Sequence, residues 1–137
     1  MGTLGGSWQD REAVRELYAR YSLALDSGDF TSWLECFTAS GVLESPRFGR
    51  HEGREGLRRF IDLYQTALGG ARVLHFNSNL SFVLDGDSGS GTCYFAYFYS
   101  RQGRETIGAR GHYVDKLSGL NGVWRFEQRR VFLDAHS

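Results

Sequence analysis

"RVLHFNSNLSFVLDGD", residues 72–87, is the stretch on which the fold turns. Val73, Phe76, Leu80, Phe82 and Val83 give it the apolar content of a core strand, yet His75, Asn77, Asn79 and Ser81 interrupt it at every second position. Alternate side chains on a strand point to the same face. The period therefore predicts one greasy face and one face carrying an imidazole, two amides and a hydroxyl. Whether that polar ladder looks onto water or onto a cavity decides what the chain can do.

Before this stretch the apolar period is 3.6; after it the period is 2. Val14, Leu17, Tyr18, Tyr21 and Leu25 form a helical stripe that should run from Gln9 to "DSGD", where Gly28 suits a left-handed cap. A short helix over residues 30–37 follows Asp29 as N-cap, then a brief strand in "GVLESP". A third helix over residues 52–68 puts Leu57, Phe60, Ile61, Tyr64 and Leu68 on one side. Four long strands are predicted at 72–84, 90–101, 104–118 and 122–133, joined by "DGDSG", "SRQGR" and "SGLNG". The class is α+β, with three N-terminal helices packed on a strongly curved, mostly antiparallel sheet. Residues 1–8 read as a Gly-rich flexible tail and residues 9–137 as a single domain.

Net charge is zero, so no global field favours nucleic acid or an anionic membrane. No apolar run of about eighteen residues and no basic-then-apolar leader occurs, which gives the expectation of a cytoplasmic soluble protein. Cys36 and Cys93 lack metal-type spacing and read as buried free thiols. Aromatic residues make up 15% of the chain, enough for a thick core or a pocket lined with rings.

A single helix layer on a strongly bent sheet leaves a hollow between helices and concave face. The polar residues that the strands contribute near it are His75, Asn77 and Asn79, then Tyr97 and Tyr99, then Arg110 and His112, then Gln128 and Arg129. Asp26, beside Leu25 on the apolar side of the first helix, points inward at the helix end.

With "YARYSLALDSGDFTSWLECFT", "HEGREGLRRF", "VLHFNSN" and "GVWRFEQRRV" in this order, the chain resembles the SnoaL-like, nuclear transport factor 2-like superfamily, from about Asp10 to Asp134. The resemblance implies a cone-shaped α+β barrel and an oligomer, dimer or trimer. It is nearest to the branch of scytalone dehydratase and lindane dehydrochlorinase, in which an aspartate at the end of helix one pairs with a histidine on the first long strand. Asp26 and His75 match those two positions, His112 falls near a second histidine of the dehydratase, and Arg129 is nearest to an arginine of the dehydrochlorinase. The sequence departs from scytalone dehydratase at Leu25, where that enzyme has a tyrosine.

The resemblance thus implies a lyase or isomerase of dehydratase type that needs no cofactor or metal and acts on a hydrophobic cyclic or polyketide-like molecule. His75 is the general base oriented by Asp26, with His112 as a further catalytic group. Tyr18, Tyr21, Asn79, Tyr97 and Arg129 are the substrate-binding candidates. A cyclase of the same fold, a non-catalytic ligand-binding module and a dioxygenase β-subunit-like module are the alternatives. An epoxide hydrolase would need Arg110 between two buried aspartates, for which Asp115 is the nearby candidate. Asp26, His75 and His112 could also be weighed as a metal triad, though nothing in their spacing requires one.

Overall fold

The computed structural model describes residues 5–136. Its elements are α1 (Trp8–Ser27), α2 (Phe30–Glu35), β1 (Phe37–Ser45), β2 (Gly49–Glu52), α3 (Gly53–Leu68), β3 (Arg72–Asp85), β4 (Ser88–Arg101), β5 (Arg104–Ser118) and β6 (Arg125–His136). Three helices pack on one six-stranded sheet of order β2-β1-β6-β5-β4-β3. Only β1 and β6 run parallel; every other neighbouring pair is antiparallel. The sheet is open, with β2 and β3 as its edges. This is the expected α+β cone.

The helices form where their caps and stripes place them. Ser7 accepts the Asp10 N–H at the start of α1, and Gly28 ends the helix with φ 77°, a conformation costly to any residue with a Cβ. Val14, Leu17, Tyr18, Tyr21 and Leu25 are buried, as their spacing predicts. Asp29 caps α2 through the Ser32 N–H. The helix begins one residue earlier than expected, and Ser7 and Trp8 belong to it rather than to a tail. Residues 1–4 of that expected tail lie outside the described residues.

Three differences from the sequence reading have local causes. β1 starts at Phe37, because this buried ring leaves α2 to pair with Phe126 of β6. β2, a strand without apolar alternation, is held against β1 by a turn in which the Ser45 hydroxyl accepts the N–H groups of Arg47 and Phe48. β6 starts at Arg125, after a 3-10 turn at Leu120–Gly122 in which Asn121 has φ 57°.

The core is aromatic. Tyr21 meets Trp33, Phe37, Tyr113 and Phe126 at ring-centroid distances of 5.7–6.1 Å. Phe60 stacks on Trp33 at 5.2 Å and on Tyr64 at 5.8 Å. Cys36 and Cys93 are buried free thiols.

Among the register shifts of the sheet, those in β3 and β5 set which of their residues face inward. In β3 the register shifts between Ser78 and Ser81, and Asn79 takes φ 56°, a left-handed conformation that asparagine tolerates better than most residues. Residues 73, 75 and 77 face the helices before the bulge; Leu80, Phe82 and Leu84 do so after it. In β5 the shift falls at Gly108, opposite Tyr97 and Phe98. Beyond it Ala109, Tyr113 and Asp115 are buried, which leaves Arg110 exposed.

Candidate active site

α1 crosses β3, so the last turn of the helix reaches the first half of the strand. Asp26 lies in that turn. A carboxylate there faces the negative end of the helix dipole and is disfavoured unless donors approach it. Both donors come from His75. Asp26 Oδ2 accepts the His75 backbone N–H at 2.8 Å, and Oδ1 accepts Nδ1–H of the ring at 2.5 Å. The two side chains are only 11% and 8% exposed. One carboxylate thus fixes the strand position, the ring orientation and the tautomer, leaving Nε2 free of protein partners among the described residues.

His75 stands in the wall of a cavity of about 300 Å³. α1 contributes Tyr21 and Leu25, α3 contributes Phe60, Tyr64 and Leu68, and the sheet contributes Val73, Phe95, Tyr97, Tyr99, Tyr113 and Leu133. Tyr97 pairs with His75 across the β3–β4 ladder, its ring centroid 5.4 Å from the imidazole. Its ring lies against Gly108, where a Cβ would stand 1.9 Å from Cε2. The bulge glycine therefore makes the space that Tyr97 occupies.

Of the catalytic residues expected from sequence, Asp26 and His75 are brought together and His112 is not. His112 sits between inward-facing Gly111 and Tyr113 and so projects from the outer face. There it stacks on Phe132 at 4.9 Å and lies 2.9 Å from Asp134 Oδ2. Asp26, His75 and His112 do not converge, and among the described residues no cluster of three His, Cys, Asp or Glu side chains is placed to hold a metal ion.

Of the substrate-binding candidates, Tyr21 and Tyr97 line the cavity and the other three do not. Asn79 is exposed because the bulge turns it outward. Tyr18 and Arg129 are sealed in the core with Asp115. Arg129 donates to Asp115 through Nε (2.8 Å) and a terminal nitrogen (2.9 Å), and Tyr18 donates to the same carboxylate at 2.5 Å. Four rings surround the guanidinium at 3.6–5.0 Å. Burial alone would lower the Arg129 pKa, but the charge and hydrogen bonds of Asp115 outweigh it and hold the pKa above its ordinary value. The arrangement an epoxide hydrolase would need is also missing, since Arg110 is exposed on the other face.

Sequence reasoning missed Tyr64, Arg47 and Arg101. Tyr64 counted as one more apolar residue in the α3 stripe, yet its hydroxyl is buried in the cavity wall without a hydrogen-bond partner. Burial, then the nearby Asp26 charge, push its pKa upward, so it is held as a neutral donor. Arg47 lies in a connection that periodicity does not orient, and Arg101 is the last residue of β4, at the start of a turn. Asn77 serves the scaffold instead, donating to Ser22 of α1 at 3.0 Å.

The profile of the SnoaL-like domain family matches residues 7–130, and the chain belongs to that family. No curated protein matches it. Among solved structures it is similar to a protein of unknown function from Mycobacterium tuberculosis, 28% identical with a TM-score of 0.84, covering 97% of this chain and 78% of that one. It is also similar to an NTF2-like protein with a cystatin-like fold from Novosphingobium aromaticivorans, 25% identical with a TM-score of 0.82, covering 95% and 85%. LinA shares the fold at 18% identity and a TM-score of 0.78, covering 93% of this chain and 87% of that one. The family includes isomerases, dehydratases and cyclases.

Proposed function

We propose that this chain is an acid–base lyase or isomerase of dehydratase type, nearest in mechanism to the scytalone dehydratase and dehydrochlorinase branch. The observation that supports it is the double grip of Asp26 on the ring and backbone of His75 at the wall of an open cavity. A carboxylate on Nδ1 stabilises the imidazolium that forms when Nε2 takes a proton. His75 Nε2 removes a proton from a carbon next to a carbonyl, and the C–H electron pair moves toward the carbonyl to give an enolate. The Tyr64 hydroxyl donates to the developing oxyanion. The enolate then expels a β-hydroxyl, which leaves as water with the proton from Nε2. Return of that proton to another carbon gives isomerisation, and attack of the enolate on a second carbonyl gives ring closure.

The aromatic lining fits a hydrophobic cyclic or polyketide-like substrate. A cavity open to solvent supports this reading over a non-catalytic structural module, which has no need of one. Leu74 and Phe76, each 57% exposed on the outer face with Tyr94 and Ile107 beside them, are the surface through which two or three copies associate. Equilibrium sedimentation reads that assembly.

The test of the catalytic reading is exchange of carbon-bound hydrogen for deuterium in a panel of cyclic β-hydroxy ketones, followed by NMR. The wild-type chain should catalyse exchange in at least one member and His75→Ala should not. Equal exchange rates for both would discard His75 as the base.

A further inference from the structure

The cavity carries charge at its mouth and almost none along its walls. Among the described residues that line it, Arg47 and Arg101 are the only permanently charged ones, and none is an aspartate or glutamate. Both arginines are exposed, whereas His75 is nearly buried, so the guanidiniums stand at the opening and the imidazole further in.

The two come from different elements. Arg47 belongs to the turn between β1 and β2 and donates to the Tyr97 hydroxyl at 2.9 Å. Arg101 ends β4 and donates to the carbonyls of Leu68 (2.7 Å) and Gly69 (3.3 Å), at the negative end of the α3 dipole. These anchors orient the guanidiniums without neutralising them. Neither is in an ion pair among the described residues, unlike Arg15, Arg50, Arg125, Arg129 and Arg130. Each guanidinium has five N–H donors, so most of their donor capacity remains for a ligand.

An exposed arginine on a rim usually serves only solubility. Two fixed on neutral acceptors, over an apolar cavity with no lining acid, make a receptor for an anion. We propose that the cavity selects ring-sized apolar ligands bearing a carboxylate, held at Arg47 and Arg101 with the ring inserted toward His75. The inference rests on the cavity being the substrate site proposed above, and it does not depend on His75 acting as a base. It narrows the substrate class from hydrophobic rings to hydrophobic ring acids.

The experiment compares 2-naphthoate with its neutral counterpart 2-naphthalenemethanol, titrated calorimetrically into the full chain. Naphthoate should bind about tenfold more tightly, the scale of one charge-assisted hydrogen bond. The preference should shrink with added salt, since the arginines are exposed. Arg47→Gln should remove most of it, and Arg47→Gln with Arg101→Gln all of it. Because Arg101 also holds the end of α3, Arg47→Glu, in an exposed turn, provides a second variant and should reverse the preference.

Equal affinities in the wild-type chain, binding of neither probe, or a preference that survives loss of both arginines would each overturn the proposal. His75→Gln separates it from the catalytic reading. That variant should retain the preference while losing hydrogen exchange; loss of the preference would place the carboxylate on the imidazole instead. A chain that prefers naphthoate yet catalyses no exchange keeps the ligand class and loses the base.

Discussion

Two aspartates on the inner side of this fold each hold a nitrogen group, and they do so in opposite settings. Asp115 grips Arg129 in a sealed core, both side chains 0% exposed, with Tyr18 bonded to the same carboxylate and rings on every side. Asp26 grips His75 at the edge of a cavity, with a ring nitrogen left over. The first cluster has a permanently charged cation and no opening, so it can only hold the structure in place. The second has an imidazole, which can take up and release a proton, and a free ring nitrogen facing the cavity. What separates the scaffold pair from the pair proposed for chemistry is the kind of nitrogen and its access to a ligand, since the carboxylate is common to both.

The largest effect should come from breaking the sealed pair. Arg129→Ala leaves Asp115 charged, buried and bonded only to Tyr18, and should lower unfolding stability by about 3–5 kcal/mol in a denaturant titration. Replacing the pair together, Arg129→Met with Asp115→Leu, should recover most of that loss. A loss below about 1 kcal/mol for the single variant would show that solvent reaches the cluster and the contrast is false.

His75→Ala should do the reverse. Asp26 lies partly in reach of water, so stability should fall by only about 1 kcal/mol, while hydrogen exchange falls roughly 10²- to 10⁴-fold. Asp26→Asn should lower exchange as well, because the amide offers no charge to the imidazolium. If His75→Ala unfolds the chain as readily as Arg129→Ala, both clusters are scaffold.

The same contrast shows where sequence can be read and where it cannot. The three helices with their stripes and the antiparallel meander from β3 to β6 followed from period and turn chemistry, whereas β2 and the parallel pairing of β1 with β6 did not. Asp26 and His75 lie one turn from a capped helix end and three residues into a strand, before any irregularity, and their faces were correct. Asn79 was assigned inward by strict alternation, and a bulge at its own position turned it out. His112 was assigned inward as well, but in the observed register Tyr113 and Asp115 hold the inner face. A bulge adds a single residue and reverses all that follow, and no local composition announces it. Arg129 was placed on the right face at the wrong depth. Alternation gives direction, whereas the distance to a cavity is set by how large the intervening rings are.

Tyr64 tests the cavity side of the comparison with a smaller effect. Its hydroxyl is a buried donor in the cavity wall without a hydrogen-bond partner. Tyr64→Phe removes an uncompensated polar group, so stability should hold or rise by about 1 kcal/mol, whereas exchange should fall about tenfold. A residue that only filled space would change both in the same direction or neither. Thermal melting and the exchange assay on one preparation decide between them.

The smallest effect concerns the start of α1, distant from both clusters. Asp10 accepts Trp124 Nε1–H at 3.0 Å and the Ser7 hydroxyl at 3.0 Å, and these bonds, that of Trp124 foremost, hold its pKa below 3.8. A carboxyl whose folded pKa is depressed contributes stability that is present above the unfolded value and lost as pH falls through the folded one. The contribution is therefore intact above 3.8 and disappears below it. Asp10→Asn has no such term, so its melting temperature should fall less steeply than that of the wild-type chain across that acid range, with the two curves running parallel above it. Because the carboxylate is at the surface, the difference should also narrow in high salt. Curves that stay parallel through the whole acid range would mean that the link between α1 and Trp124 is made equally well by a neutral group, and that the helix start depends on the Ser7 cap alone.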